Sequence, residues 1–383
     1  MASAVIVDAV RTPLGRRNGR LKDWHPVDLA AHTLRALVER NDLDPALIED
    51  VIMGCVSQVG DQAVNIGRNA ALAAGFPESV TGTTIDRQCG SSQQAAHFAA
   101  QGVLAGAYDV VIAAGVESMT RTPMGSSLLP GTNPFGRQLP VRYDLVPQGI
   151  SAELIAEKWS ISREENDEFS LESHRRAARA TEEGRFEREI VPVDVQTDES
   201  SETMTRDEGI RADSTLEALA KLKPAFKPDG VITAGNSSQI TDGAAAVLVM
   251  SEGKAMELGL VPRARFHAFA LAGVDPVLML TGPIPATTKV LERAGLTLDE
   301  IDRVEINEAF APVVLAWERE HHPDMARVNV NGGAIALGHP VGSTGSRLMT
   351  TALHELERSD RTTALITMCA GGALSTGTII ERI

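Results

Sequence analysis

Apolar residues along this chain switch between two spacings. Ala4 to Val10 is an apolar run of strand length, and Val27 to Asn41 reads as an amphipathic helix. Val51 to Val56 predicts a strand, and Val64 to Ala74 a helix ended by Gly75, a natural C-terminal cap. Thr83 to Arg87 follows as a short strand and Ser91 to Ala105 as a helix. Tyr108 to Ala114 is a buried apolar strand that ends at Gly115. Strands alternating with helices predict a mostly parallel sheet covered on its faces.

The pattern changes between Met119 and Gly235. Pro, Gly and Ser cluster from Thr120 to Pro147, and a charged helical block runs from Ala152 to Glu183. An acidic stretch follows around Asp198 to Glu208. This reads as an inserted region, partly helical and rich in loops. Ala244 to Met250 is again a buried run, and from about Arg263 the opening order recurs. Leu47-Ile-Glu-Asp-Val51 resembles Glu300-Ile-Asp-Arg-Val304, each a helix end running into a strand. Downstream, Cys89 and His339 each open a helix, and later strands end in turns at Gly115 and Gly371. Three features in one order suggest a duplicated α/β unit.

Composition narrows the function. The 383 residues are 43 % hydrophobic and 23 % charged, which predicts two or three folded units. Aromatics are scarce at 4 %, so small and aliphatic side chains must fill the core. A formal charge of −15 argues against nucleic acid and anionic membrane as partners. Three cysteines make no disulfide framework and suit a reducing compartment. The start carries no secretory pattern, and Ala244 to Met250 is too short to span a bilayer. The expectation is a soluble cytoplasmic protein.

Four segments carry candidate chemistry. Cys89, in Asp86-Arg-Gln-Cys-Gly-Ser-Ser-Gln-Gln-Ala95, lies where a strand runs into a helix. Helix N-terminal N–H groups favour a thiolate there and can hold an oxyanion, though most cysteines are simply small buried hydrophobes. His339 lies in the glycine-rich run Asn329 to Gly345, which lacks both the phosphate-loop and the dinucleotide pattern. A histidine suits removal of a thiol proton, or it is a hydrogen-bonded structural residue. Cys369 ends a buried strand before Ala370-Gly-Gly372, and suits a step in which a proton leaves carbon. A zinc site of Cys89, His339 and Cys369 is disfavoured because no paired C-x-x-C spacing exists. Asn307-Glu308 is a polar pair on an apolar run, either functional or a helix cap. Cys55 reads as structural. Arg211, Lys221, Lys223 and Lys227 form a basic stretch suited to nucleotide phosphates, or a solvated face.

Together the Cys89 segment, Asn307-Glu-Ala-Phe310, Gly332-Gly-Ala-Ile-Ala-Leu-Gly-His-Pro340 and Cys369-Ala-Gly-Gly372 resemble the thiolase family nearly end to end. The resemblance implies an α/β protein with a five-layered αβαβα fold of two duplicated βαβαβαββ halves. It implies a first half of residues 1–118 and 236–258, an inserted loop domain of residues 119–235 and a second half of residues 259–383. It implies Cys89 as the acyl-accepting nucleophile and His339 as its base and part of an oxyanion hole. Asn307 would hold a water in that hole, and Cys369 would be acid and base at the α-carbon. Backbone N–H groups of Cys89 and Gly371 would form a second oxyanion hole. Arg211 would meet the coenzyme A nucleotide and Ser238 its pantetheine, with Met279 and Phe310 lining the inner pocket. Coenzyme A and acyl-CoA would be substrates, with no resident cofactor or metal, in a homodimer or dimer of dimers.

The chain departs from the family at Asp86, where Asn is common, and at Ser92, where Gly is common. Pro147-Gln148-Gly149 stands where acetoacetyl-CoA thiolases usually have His-Met-Gly and degradative ones Pro-Met-Gly, so Pro147 favours a degradative enzyme and Gln148 fits neither. Arg87-Gln-Cys-Gly-Ser-Ser-Gln-Gln-Ala95, Ser237-Ser-Gln-Ile240 and the final Gly377-Thr-Ile-Ile-Glu-Arg-Ile383 are similar to bacterial thiolases of steroid breakdown. The leading expectation is thiolytic cleavage of 3-ketoacyl-CoA. Its rivals are acetoacetyl-CoA synthesis and a catalytically silent lipid or sterol carrier, which the four retained residues disfavour. A decarboxylating ketosynthase would have histidine where Cys369 stands.

Overall fold

The computed structural model describes residues 3–196 and 200–383. Its first half runs β1 (Ala4–Arg11), α1 (Pro26–Arg40), β2 (Asp50–Gly54), α2 (Ile66–Ala73), β3 (Thr81–Ile85), α3 (Ser91–Leu104) and β4 (Val110–Ser118). An insertion holding α4 (Gln148–Lys158) and α5 (Arg163–Glu182) precedes β5 (Thr241–Ser251). The second half runs β6 (Ala264–Gly273), α6 (Pro283–Ala294), β7 (Arg303–Ile306), α7 (Ala311–His321), α8 (Thr344–Arg358), β8 (Thr363–Ala370) and β9 (Leu374–Arg382). Between α7 and α8, Val328 bridges Val304 in parallel and stands where a third strand would be.

Strand order exposes the duplication that the sequence only hinted at. The first sheet reads β3-β2-β4-β5-β1, and the second reads Val328-β7-β8-β9-β6. In each half the inner strands are parallel and the last strand runs antiparallel to its neighbours. The two sheets also meet at one edge, where Val5 and Ile6 pair with Arg265 and Ala264.

Five layers result. Helices α1 and α2 cover the outer face of the first sheet, and α6 and α7 cover the outer face of the second. Helices α3 and α8 lie between the sheets and against each other. A helix covered on every side leaves little room, and α3 fills it with Ala95, Ala96, Ala99 and Ala100, all fully buried. This placement accounts for a core poor in aromatics. Helix N-termini of α3 and α8 thereby meet at the centre of the molecule, where the candidate chemistry lies.

Several expectations change in detail. The charged block from Ala152 is two helices, not one: the chain breaks at Trp159–Ser162, with Ser160 left-handed and a Ser162–Glu165 capping box restarting it. Around the acidic stretch, Val193–Gln196 and Ser201–Met204 pair as a hairpin, a β element where loop and helix were expected; residues 197–199 lie outside the described residues. The helix expected from Val64 begins at Ile66, because Val64 and Asn65 are left-handed. Gly115 does not end its strand. It sits inside β4, where a Cβ would come 2.5 Å from the Gly342 carbonyl oxygen, so glycine admits the His339 loop.

Candidate active site

After β3 the chain reverses through Gln88, a non-glycine residue at φ +51°. Local hydrogen bonds hold this costly conformation. The Gln88 N–H donates to Asp86 Oδ1 (2.6 Å), the Arg87 N–H to Ser91 Oγ (2.9 Å), and Ser91 Oγ to the Gln88 carbonyl (2.6 Å). An aspartate serves this turn as well as an asparagine would, since only Oδ1 is used. Cys89 is thus set at the mouth of α3, 7 % exposed.

The backbone N–H groups of Gly371 and of Cys89 itself stabilise the thiolate, as a helix N-terminus should. Burial nevertheless outweighs them and, with Glu117 and Asp86 adding negative field, pushes the thiol up to about 11. The helix N-terminus favours the thiolate as expected, but burial keeps the resting group a thiol.

His339, unlike Cys89, does not open a helix as expected. It lies in the loop between the short turn Ala334–Leu337 and α8. Its N–H donates to Thr241 Oγ1 (3.1 Å) and to the Gln239 carbonyl (3.3 Å). Gly338 precedes it at φ +113°, and a Cβ there would meet Thr241 Oγ1 at 2.4 Å, so only glycine makes this bend. The imidazole is 4 % exposed, with Nδ1 2.6 Å from Thr344 Oγ1 and Nε2 3.4 Å from Asn307 Nδ2. Burial, then the positive Arg347, lower its pKa to about 3, so the ring rests neutral.

Asn307 follows β7, and its N–H donates to the Thr367 carbonyl (3.0 Å) in β8, two residues before Cys369. Its Oδ1 is buried without a partner among the described residues. Cys369 is fully buried, and its thiol is pushed up by burial and by the charge of Cys89. The two sulfurs, from opposite halves, therefore share one electrostatic environment. Among the described residues no hydrogen bond joins His339 to either sulfur.

Gly371 turns the chain beyond β8. A Cβ on it would come 2.9 Å from Gln148 Nε2 and 3.2 Å from Gln88 Oε1, so the insertion reaches this turn through the first residue of α4. Met279 and Phe310 share an apolar cluster with Cys369, and the Ser238 N–H donates to the Ala309 carbonyl (2.9 Å) beside Phe310. Arg211 is exposed with Lys221, Lys223 and Lys227, and none of the four forms an ion pair among the described residues.

The sequence reading missed several supporting groups. Phe226 packs on Gly149 and edge-on to Phe310 (5.9 Å); an aromatic amid Lys223 and Lys227 was its only signal. Glu117 accepts hydrogen bonds from the N–H groups of Val56, Ser57 and Gly342 and from Gln62 Nε2, tying the first half to the His339 loop. Arg347 is fully buried without a hydrogen bond among the described residues, where its closest carboxylate is Glu305 at 3.6 Å. Among the described residues, no three His, Cys, Asp or Glu are grouped to hold a metal ion, and no helix is long and apolar enough to cross a membrane.

The chain resembles known proteins along its whole length. The family model described as Thiolase, N-terminal domain matches residues 4–253, and that described as Thiolase, C-terminal domain matches residues 260–382. The chain belongs to the thiolase family. It is 50 % identical to the steroid 3-ketoacyl-CoA thiolase FadA6 of Mycobacterium tuberculosis, over 100 % of this chain and 95 % of that protein. It is 45 % identical to a 3-ketoacyl-CoA thiolase of Idiomarina loihiensis, covering both chains fully. This thiolase is also similar in structure to the Bacillus anthracis acetyl-CoA acetyltransferase, with TM-score 0.92 and 41 % identity over 100 % of this chain and 99 % of that one.

Proposed function

We propose that this thiolase cleaves 3-ketoacyl-CoA with coenzyme A, giving acetyl-CoA or propionyl-CoA and a shortened acyl-CoA. Two buried thiols from opposite halves, one of them facing two convergent backbone N–H groups, carry the reading. His339 Nε2 takes the proton of Cys89, and the sulfur attacks the 3-keto carbon. The oxygen charge that develops is met by the N–H groups of Cys89 and Gly371. The C2–C3 bond breaks, and the departing carbanion takes the proton of Cys369. The Cys369 thiolate next removes the proton of incoming coenzyme A, whose sulfur displaces Cys89 from the acyl group. Cys89 recovers its proton from His339, and the cycle closes with every proton returned.

Asn307 supports this scheme through its free Oδ1, which can hold a water beside the thioester oxygen. The unpaired Arg211 cluster suits the nucleotide phosphates, and Ser238, Met279, Phe310 and Phe226 suit the pantetheine and inner pocket. In this reading residues 119–235 form the domain that receives coenzyme A. Condensation to acetoacetyl-CoA would run the same residues in reverse; Pro147 and the similarity to a steroid thiolase favour the degradative direction. The protein is proposed to work in the cytoplasm as a homodimer or dimer of dimers, β3 being an unpaired sheet edge on the described chain. Thiolysis assayed over short-chain, long-chain and steroid-derived 3-ketoacyl-CoAs tests the substrate class. Equal inactivity on all three refutes the proposal.

A further inference from the structure

Gln239 and Thr241 hold the main chain of His339, whereas Thr344 touches the ring nitrogen opposite the one that must act. It opens α8 and is fully buried. A threonine hydroxyl has one hydrogen to give. In the first turn of a helix that hydrogen commonly goes back to the carbonyl four residues earlier. Here the carbonyl is that of Pro340, at 2.9 Å. The hydroxyl is then left with lone pairs only toward His339 Nδ1, 2.6 Å away. An unprotonated Nδ1 would face those lone pairs with none to donate. A protonated one donates into them.

The opposite side of the ring agrees. The group beside Nε2 is the amide nitrogen of Asn307, which can only donate. A bare Nε2 accepts it, whereas an Nε2–H would oppose it. We infer that Thr344 is a positioning residue, holding neutral His339 as its Nδ1–H tautomer so that Nε2 is bare and ready for the Cys89 proton. The inference rests on His339 being the base of the proposed reaction.

The pairing also serves the charged state. Once Nε2 takes the thiol proton, the ring keeps Nδ1–H on Thr344 and turns an Nε2–H donor toward the substrate oxygen. No ring flip and no second proton transfer intervene. The neighbouring main chain makes the geometry stiff: the Ser343 N–H takes the other lone pair of the Pro340 carbonyl, at 2.9 Å. The loop therefore closes on itself immediately after His339, and Thr344 cannot move without breaking it.

Selective 15N-histidine labelling of the whole protein reads the tautomer directly, with His339→Asn identifying the resonance. The native spectrum should show Nδ1 protonated and Nε2 bare near neutral pH. Thr344→Val should lose or mix that tautomer and slow acylation of Cys89 by roughly a hundredfold or more, the scale of a lost general base. Thr344→Ser should restore both. A native Nε2–H tautomer overturns the inference, as does a Thr344→Val protein that keeps the native tautomer and the native acylation rate. Should the valine variant fail to fold, the native and serine spectra decide alone. Native protein that never acylates Cys89 instead refutes the proposed reaction, and leaves the tautomer readable.

Discussion

The backbone N–H of Ser346 donates to Ser92 Oγ at 2.9 Å, so a side chain of the first half caps the central helix of the second. Ser346 is the third residue of α8, whose own cap position, Ser343, makes no side-chain capping bond. The departure of Ser92 from the common family glycine thus has a structural use: it satisfies an N–H that α8 leaves open. Ser92→Ala should cost about 1 kcal/mol, as loss of an N-cap does, read as a lower urea midpoint at unchanged slope. Ser92→Gly should cost more, by up to about 1 kcal/mol for glycine within a helix. Stability unchanged in both would mean that water replaces the bond.

The two cysteines should separate by step. Cys89→Ala should take up no acetyl group from acetyl-CoA, seen by intact-mass spectrometry. Cys369→Ala should still acylate at Cys89 yet fail to form or break the carbon–carbon bond. Persistent labelling of the first, or normal turnover of the second, contradicts the assigned roles.

Cys89 should behave in the free enzyme as an ordinary buried thiol. Its pKa is pushed up to about 11, so below that pH the reactive thiolate is the minor form, and each unit of rise multiplies it tenfold. Iodoacetamide labelling of Cys89, followed by peptide mapping, should accelerate about tenfold per pH unit between roughly pH 7 and 10. The neutral His339 adds no field, since it protonates only near 3. His339→Ala should therefore leave the slope intact while abolishing turnover. A plateau below about pH 8.5, the ordinary thiol value, would show a preformed ion pair instead.

Much of this was legible beforehand, for identifiable reasons. The αβ alternation and the repeat survive in sequence because period and order need only local side chains: Leu47–Val51 and Glu300–Val304 do both lead into strands. Cys89, His339 and Cys369 were legible because close backbone approach forces glycines around them, and Asn307 because it is polar on an apolar run. What escaped depends on partners far along the chain. Glu117 looks like a lone acid in a strand until Gly342 meets it, and Gly115 looks like a strand end until the His339 loop packs on it. The burial of Cys89 escaped for the same reason: the helix N-terminus that favours its thiolate is local, whereas the burial that outweighs it is tertiary.

Gly371 offers the sharpest test of the proposed oxyanion site. Its N–H faces Cys89, while a Cβ would meet only the ends of two flexible side chains, Gln148 at 2.9 Å and Gln88 at 3.2 Å. Gly371→Ala should therefore fold normally, losing less than about 1 kcal/mol, because both amides can swing aside. Any tilt of the turn that makes room for the methyl misdirects the N–H. Loss of one oxyanion donor costs roughly a hundred- to a thousandfold in kcat, so partial misdirection should cost about tenfold or more. Adding Gln148→Ala frees the space the methyl needs and should return most of that loss. Should the double variant be as slow as the single one, crowding by Gln148 is not the cause, and the turn itself has lost its native path.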